Sequence, residues 1–205
     1  MENIQQNNHV LPLLVLASSS PRRQELIQLF GLPHVVEPSD ADESLEEHWT
    51  PQDTVEQLAL RKASTVVEIR QARGDEGIVI GSDTVVVHDH MILGKPHDDS
   101  DAFRMLSMLQ GRAHDVFTGV ACIDVRTGNT LVRHRHTRVW MRHLNNAQIE
   151  RYIASGEPRD KAGSYGIQGL GATIVDRIEG CYFNVVGLPV SLLAEMLTAF
   201  AIEKP

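Results

Sequence analysis

The sequence predicts an α/β protein built around a mixed sheet, and three observations carry that reading. Short β-branched runs alternate with segments of helical periodicity along the chain, the pattern of packed sheet and helix layers. A long hairpin is legible in Val116 to Val125 and Thr130 to Met141 around Thr127-Gly128-Asn129, so the sheet cannot be wholly parallel. The composition, 42% hydrophobic and 22% charged, is that of an ordinary globular protein. A chain of this length buries roughly 70% of its unfolded surface without disulfides or a structural metal.

Taken in order, Met1 to His9 is polar and without periodicity and reads as a disordered leader, leaving residues 10–205 as a single domain with no linker inside it. Leu13-Leu14-Val15-Leu16 reads as a buried strand. Ser20 stands where a helix cap is expected, followed by Pro21 at the first helical position, with Leu26, Ile27, Leu29 and Phe30 inward and Gly31 as the stop. Thr50-Pro51 opens a second helix to about Ala72, and its inner stripe of Val55, Leu58, Ala59 and Val66 also takes in Lys62. Ile78-Val79-Ile80 runs through Gly81-Ser82-Asp83-Thr84 into Val85-Val86-Val87, turns at His88 to His90, and returns through Met91-Ile92-Leu93 to Gly94-Lys95-Pro96. Asp98 or Ser100 caps a helix with Ala102, Phe103, Leu106 and Leu109 inward, ended by Gly111. After the hairpin, Asn145 opens a helix carrying Ile149, Tyr152 and Ile153 and stopped at Gly156. A glycine-rich stretch from Asp160 to Gly171, two short strands and a helix from about Pro189 to Phe200 complete the chain.

Charge and composition exclude several classes. With 19 basic and 27 acidic residues the net charge is 19 − 27 = −8, which repels a phosphate backbone and disfavours nucleic acid as a partner. No apolar run approaches the ~20 residues of a membrane span, and the amino terminus lacks a secretion signal. Cys122 and Cys181 are isolated thiols with no metal spacing, as suits a reducing compartment. A cytoplasmic protein is expected, and a small phosphorylated ligand is compatible with all of this.

Five places carry candidate chemistry. Ser18, Ser20, Arg22 and Arg23 bring hydroxyls, guanidinium groups and a helix start into one small volume, a combination that suits a phosphate and equally an ordinary capped helix. Lys62 occupies a position the helix otherwise gives to apolar residues, either snorkelling to water or facing an anion in a cleft. Asp83 sits between β-branched runs; a carboxylate buried there needs a metal, a lysine or a water to activate, and otherwise it is an exposed strand residue. Thr84 offers a hydroxyl on the opposite strand face, and Lys95 follows on a turn fixed by Pro96. The acidic run Glu37 to Glu43 contains oxygen ligands of the kind Mg²⁺ or Mn²⁺ takes beside substrate phosphates, with Glu43 the choice within it. Gln168, between Gly166 and Gly169, can present an amide donor and acceptor to the edge of a base. His134 and His136 share a strand face but have no third ligand at zinc spacing, and read as edge or surface residues.

Together Ser18-x-Ser20-Pro21-Arg22-Arg23, Asp42-Glu43, Lys62-Ala63, Gly81-Ser82-Asp83-Thr84-Val85, Gly94-Lys95-Pro96, Asp160-Lys161-Ala162-Gly163-Ser164-Tyr165-Gly166-Ile167-Gln168-Gly169 and Val186-Gly187-Leu188-Pro189 closely resemble the Maf family of nucleoside triphosphate pyrophosphatases, in order from about Leu13 to Phe200. The resemblance implies an elongated mixed β-sheet flanked by helices, with two lobes around a central cleft as in the inosine triphosphate pyrophosphatases. It also implies a reaction dependent on a divalent metal, Mg²⁺ or Mn²⁺, giving a nucleoside monophosphate and pyrophosphate, and a homodimer. The Tyr165-Gly166-Ile167-Gln168-Gly169 stretch resembles the branch acting on dTTP and UTP; enzymes for 7-methyl-GTP or inosine triphosphate, or a non-catalytic nucleotide-binding regulator of cell division, are the alternatives. By that resemblance Asp83 takes the place of the catalytic base, and Arg22, Thr84 and Gln168 the places of substrate choice. Ser18, Arg23, Glu43, Lys62 and Lys95 match the remaining polar lining.

Overall fold

A computed structural model describes residues 11–203, so the leader expected over residues 1–9 lies outside the described residues. Among the described residues seven strands form one mixed sheet: β1 (Leu14–Leu16), β2 (His34–Val36), β3 (Ile78–His88), β4 (Met91–Leu93), β5 (Ala113–Asp124), β6 (Thr130–Met141) and β7 (Val175–Gly180). Their order is β2-β1-β3-β5-β6-β7, with β4 paired to β3 beyond the end of β1. The β1 contacts with β2 and β3 are parallel and the rest antiparallel, which gives the expected mixed sheet.

The helices are α1 (Pro21–Gln28), α2 (Pro51–Arg73), α3 (Asp99–Leu109), α4 (Asn146–Ala154), α5 (Tyr182–Val186) and α6 (Val190–Leu197). Their starts follow local chemistry. Thr50 and Asp53 form a reciprocal capping box on α2, Asn145 and Gln148 do the same on α4, and Asp98 caps α3. The turn between β3 and β4 is Asp89-His90 with φ of 46° and 66°, the left-handed pair that joins twisted strands through two residues. Among the described residues no helix is long and apolar enough to cross a membrane.

Alternation along β3 assigns the two faces of the sheet. Val79 faces α2 together with Val15, Ala121, Ala59 and Ala63, whereas Ile78 and Ile80 join Leu14, Leu16, Ile27, Leu193 and Leu197 under α1 and α6. Helix α2 lies unusually close to the sheet because two strand positions facing it are glycine. A Cβ on Gly81 would stand 2.1 Å from the Ala59 carbonyl oxygen, and one on Gly119 2.1 Å from that of Val55. This contact seats Lys62, one turn along α2 from Ala59, over the following stretch of β3.

Several local expectations are corrected. Ser20 makes no side-chain cap on α1; its own N–H instead donates to Ser18 Oγ at 3.2 Å. Leu29 is 62% exposed at the C-cap, since α1 ends at Gln28, whereas Phe30 after it is buried as expected. The second of the two late strands is the short helix α5, drawn out of strand geometry by Asn184, whose amide donates to the Val116 carbonyl and to Thr137 Oγ1, both at 3.0 Å. Since β7 pairs only with Thr137 to Met141, His134 and His136 lie on an unpaired stretch of the β6 edge, where they meet Glu56 at 2.7 Å and Asp115 at 2.8 Å.

Candidate active site

Strand β1 ends opposite Ile80 and antiparallel β4 ends, at Leu93, opposite Val86, so the intervening stretch of β3 has no neighbour on that edge. A cleft of about 510 Å³ occupies the gap. Because the bare edge is open from both faces of the strand, Asp83, facing α2, and Thr84, facing the other way, line one cavity. Ser18, Arg22, Arg23, Glu43, Lys62, Lys95 and Gln168 line it as well, so the structure brings all nine sequence-predicted site residues to one place.

On the α2 side, Lys62 Nζ stands 2.5 Å from Asp83 Oδ1 and 2.6 Å from Glu43 Oε1. The Lys62 and Asp83 side chains are only 12% and 14% exposed, against 56% for Glu43. Asp83 is therefore a half-buried carboxylate with a lysine partner, one of the three partners its sequence position demanded. The hydrogen bond from Lys62 holds the Glu43 carboxyl below the usual carboxylate range despite its partial burial, and the positive charges of Lys62, Lys95 and Arg23 act in the same direction.

The opposite face is organised by Arg23. Its Nε donates to the Gly187 carbonyl at 2.7 Å, Nη2 to Thr84 Oγ1 at 3.1 Å and Nη1 to Ser18 Oγ at 3.4 Å. Burial pulls its pKa down from the ordinary arginine value, and Arg22 adds to that, while Asp83 and Glu43 oppose it; a guanidinium nonetheless stays a cation at neutral pH. Thr84 Oγ1 is also 2.9 Å from Thr118 Oγ1, which donates to the Asn184 carbonyl at 2.8 Å, so the guanidinium is backed by a chain of buried polar groups.

The third wall comes from the glycine-rich stretch, which folds into three short 3₁₀ turns (Glu157–Asp160, Ala162–Ser164 and Gly169–Thr173). Asp160 accepts from Arg22 Nη1 at 3.2 Å and from Lys161 Nζ at 2.8 Å, linking this wall to the serine turn. Gly163 N–H donates to the Gly94 carbonyl at 2.9 Å and so fixes the loop that carries Lys95. Among the described residues the Lys95 ammonium and the Gln168 amide have no hydrogen-bond or ion-pair partner within the chain.

Residues that the sequence reading left without a role also build the site. The Gly187 carbonyl is the anchor for both Arg23 and Ser82 Oγ, and Ser82 is fully buried. The signal for the close helix approach was present, since glycine inside a strand often marks one, but the partner backbone is more than twenty residues away for Gly81 and more than sixty for Gly119. For a metal, the donor set is two carboxylates, Glu43 and Asp83, each with one oxygen not taken by Lys62. No group of three or more His, Cys, Asp or Glu gathers among the described residues. Two hard oxygen ligands with room for substrate phosphates suit Mg²⁺ or Mn²⁺ rather than a closed structural site.

The chain is 51% identical over 190 residues to a dTTP/UTP pyrophosphatase of Desulforamulus reducens, covering 93% of this chain and 97% of the relative. It is 50% identical to a dTTP/UTP pyrophosphatase of Moorella thermoacetica (93% and 96% covered) and 48% identical to one of Gloeobacter violaceus (91% and 95%). A solved nucleoside-triphosphatase, a dITP/XTP pyrophosphatase of Mycobacterium abscessus, aligns with 92% of this chain and 97% of its own at 17% identity and a TM-score of 0.43, too slight a likeness to carry a conclusion. The family described as Maf-like protein matches residues 13–200, and the chain belongs to that family.

Proposed function

We propose that this chain hydrolyses UTP and dTTP to the nucleoside monophosphate and pyrophosphate. The observation that carries the proposal is the pairing, across one cleft, of a lysine-held carboxylate at Asp83 with the unpartnered amide of Gln168. The names of relatives 44–51% identical over about nine-tenths of this chain support the same substrates.

In the proposed reaction Asp83 accepts a proton from water as the water oxygen bonds to the α-phosphorus. The bond from that phosphorus to the bridging oxygen breaks, and its electron pair leaves with pyrophosphate. Lys62 holds Asp83 in place and offsets the carboxylate charge. Arg23, Arg22 and Lys95 supply fixed positive charge to the phosphates, which gather negative charge as the bond breaks. Arg23 is locked by three hydrogen bonds before substrate arrives, so little reorganisation is needed. Glu43 and Asp83 fit a divalent cation, Mg²⁺ or Mn²⁺, which when bound supplies charge neutralisation at phosphate oxygens.

Uracil and thymine present an N3–H between two carbonyls, which a carboxamide can answer with one acceptor and one donor. Cytosine reverses part of that pattern, so a site built for uracil leaves a polar group unpaired against it. The test is a panel of nucleoside triphosphates with Mg²⁺ or Mn²⁺, scored for both products. UMP and dTMP with pyrophosphate are expected; a preference for 7-methyl-GTP or inosine triphosphate, or binding without turnover, overturns the proposal. The homodimer implied by the family resemblance and the cytoplasmic location expected from the sequence are proposed with it, and light scattering should give twice the 22.8 kDa chain mass.

A further inference from the structure

We propose that Tyr152 and Glu157 are positioning residues that fix the loop presenting Gln168 and so set discrimination among pyrimidine triphosphates. This inference rests on the function proposed above and deepens it. Neither side chain lines the cleft.

The loop from Gly166 to Gly171 is tied at both ends to one pair of side chains. At its start the Gly166 N–H donates to the Tyr152 hydroxyl at 3.1 Å. At its end the Leu170 N–H donates to Glu157 Oε2 and the Gly171 N–H to Oε1, each at 2.9 Å. The Tyr152 hydroxyl in turn donates to Glu157 Oε1 at 2.9 Å, which closes the ring of bonds beneath Gln168.

The pair is itself anchored. Tyr152 is 5% exposed, packed in the cluster with Leu106, Leu109 and Ile149, while the Glu157 N–H donates to Ser155 Oγ at 3.2 Å and its carbonyl accepts from Lys161 Nζ at 2.5 Å. Burial alone would raise the Glu157 pKa, but the bonds from Gly171, Tyr152 and Leu170 outweigh it and hold the carboxyl below its usual range. These are then charge-assisted hydrogen bonds at neutral pH.

Spacing in the loop agrees with this role. A Cβ on Gly171 would lie 1.9 Å from the Gly166 carbonyl oxygen and 2.8 Å from the Tyr152 hydroxyl, and one on Gly169 would lie 2.6 Å from Glu157 Oε2. The glycines leave room for one carboxylate to reach both ends of the loop. Gln168 stands two residues from the nearest tie on either side, so releasing either tie frees its amide to move. A displacement near 1 Å at a recognition group costs on the order of 10²-fold in rate.

The experiment uses the full chain carrying Glu157→Gln or Tyr152→Phe. It compares kcat and KM for UTP, dTTP and CTP, and hydrogen exchange at the loop amides. Glu157→Gln is expected to lower the UTP-over-CTP ratio of kcat/KM about tenfold or more, chiefly through a higher KM for UTP, with kcat within about threefold of wild type. Exchange at Leu170 and Gly171 should accelerate. Tyr152→Phe, which loses only the Gly166 tie and one bond to Glu157, should give a smaller fall in the ratio. A purely structural role would lower thermal stability without moving the ratio. Unchanged ratios in both variants of an enzyme active on UTP overturn this inference alone, as does unchanged exchange at Leu170 and Gly171. A wild-type chain inactive on both UTP and dTTP overturns the proposed function itself.

Discussion

Replacing Asp83 with asparagine removes the carboxylate while nearly preserving its shape. A positioned general base contributes about 10² to 10⁴ in rate, so kcat should fall by that factor, or about 3 to 5 kcal/mol of barrier. The same substitution breaks half of the Lys62 bridge. Losing one partner of a buried pair outright costs about 3–5 kcal/mol, which is a ceiling here. Glu43 still meets the ammonium at 2.6 Å, and the amide oxygen can still accept from it, so about 1–2 kcal/mol is the expected stability loss. For a chain of this size that lowers Tm by about 2–8 °C, leaving a folded protein at assay temperature. Pyrophosphate release measured across Mg²⁺ concentrations separates the two jobs open to Asp83. A lost base depresses kcat at every Mg²⁺ level, whereas a lost ligand shifts the Mg²⁺ needed for half-maximal rate. A variant that melts cooperatively near wild type and turns over within threefold of it would refute the role of Asp83.

Other consequences follow from the same geometry. Gln168→Ala should erase most of the preference for UTP over CTP, up to roughly 10⁴-fold where a built hydrogen-bonding site is lost, as read from kcat/KM ratios. Arg23→Lys cannot reproduce the three-way fork to Gly187, Thr84 and Ser18 and should raise KM by roughly 10- to 100-fold, seen in steady-state kinetics. Gly119→Ala places a methyl 2.1 Å from the Val55 carbonyl oxygen and should cost about 3 kcal/mol or more in denaturant unfolding, with activity lost as Lys62 shifts. His114, buried against the Tyr165 hydroxyl at 2.6 Å, has its pKa lowered to about 4 by burial and by His88, against a small opposing effect of Asp115. The unfolded imidazole takes its proton near 6.5 and the folded one only near 4, so the stability present above about pH 6.5 drains as pH falls through that window, by about 3 kcal/mol in all. His114→Gln should remove this slope in urea unfolding at pH 7 and pH 4.5; an identical slope would contradict it.

What the sequence made legible was whatever depends on near neighbours. Thr50-x-x-Asp53 and Asn145-x-x-Gln148 announce their helices because a cap is satisfied within one turn, and the hairpin around Thr127-Gly128-Asn129 is found as the paired strands β5 and β6. Tyr182 to Val186 misled because β-branched and aromatic residues favour a strand, whereas the helix there is set by Asn184 reaching Val116 and Thr137, more than forty residues away. At the site, Asp83 stood out as a charge in an apolar run and Lys62 as a charge on an apolar stripe. Their contact depended on how closely α2 approaches β3, a distance fixed by Gly81 and Gly119 together. The ties of Tyr152 and Glu157 to the Gln168 loop were invisible for another reason: they are made to backbone N–H groups, which leave no trace in residue type.

The most direct measurement is hydrolysis of UTP in ¹⁸O-labelled water, with the label located by mass spectrometry. Attack at the α-phosphorus predicts one ¹⁸O atom in UMP and unlabelled pyrophosphate. Label in the pyrophosphate, or UDP with inorganic phosphate as products, would contradict it.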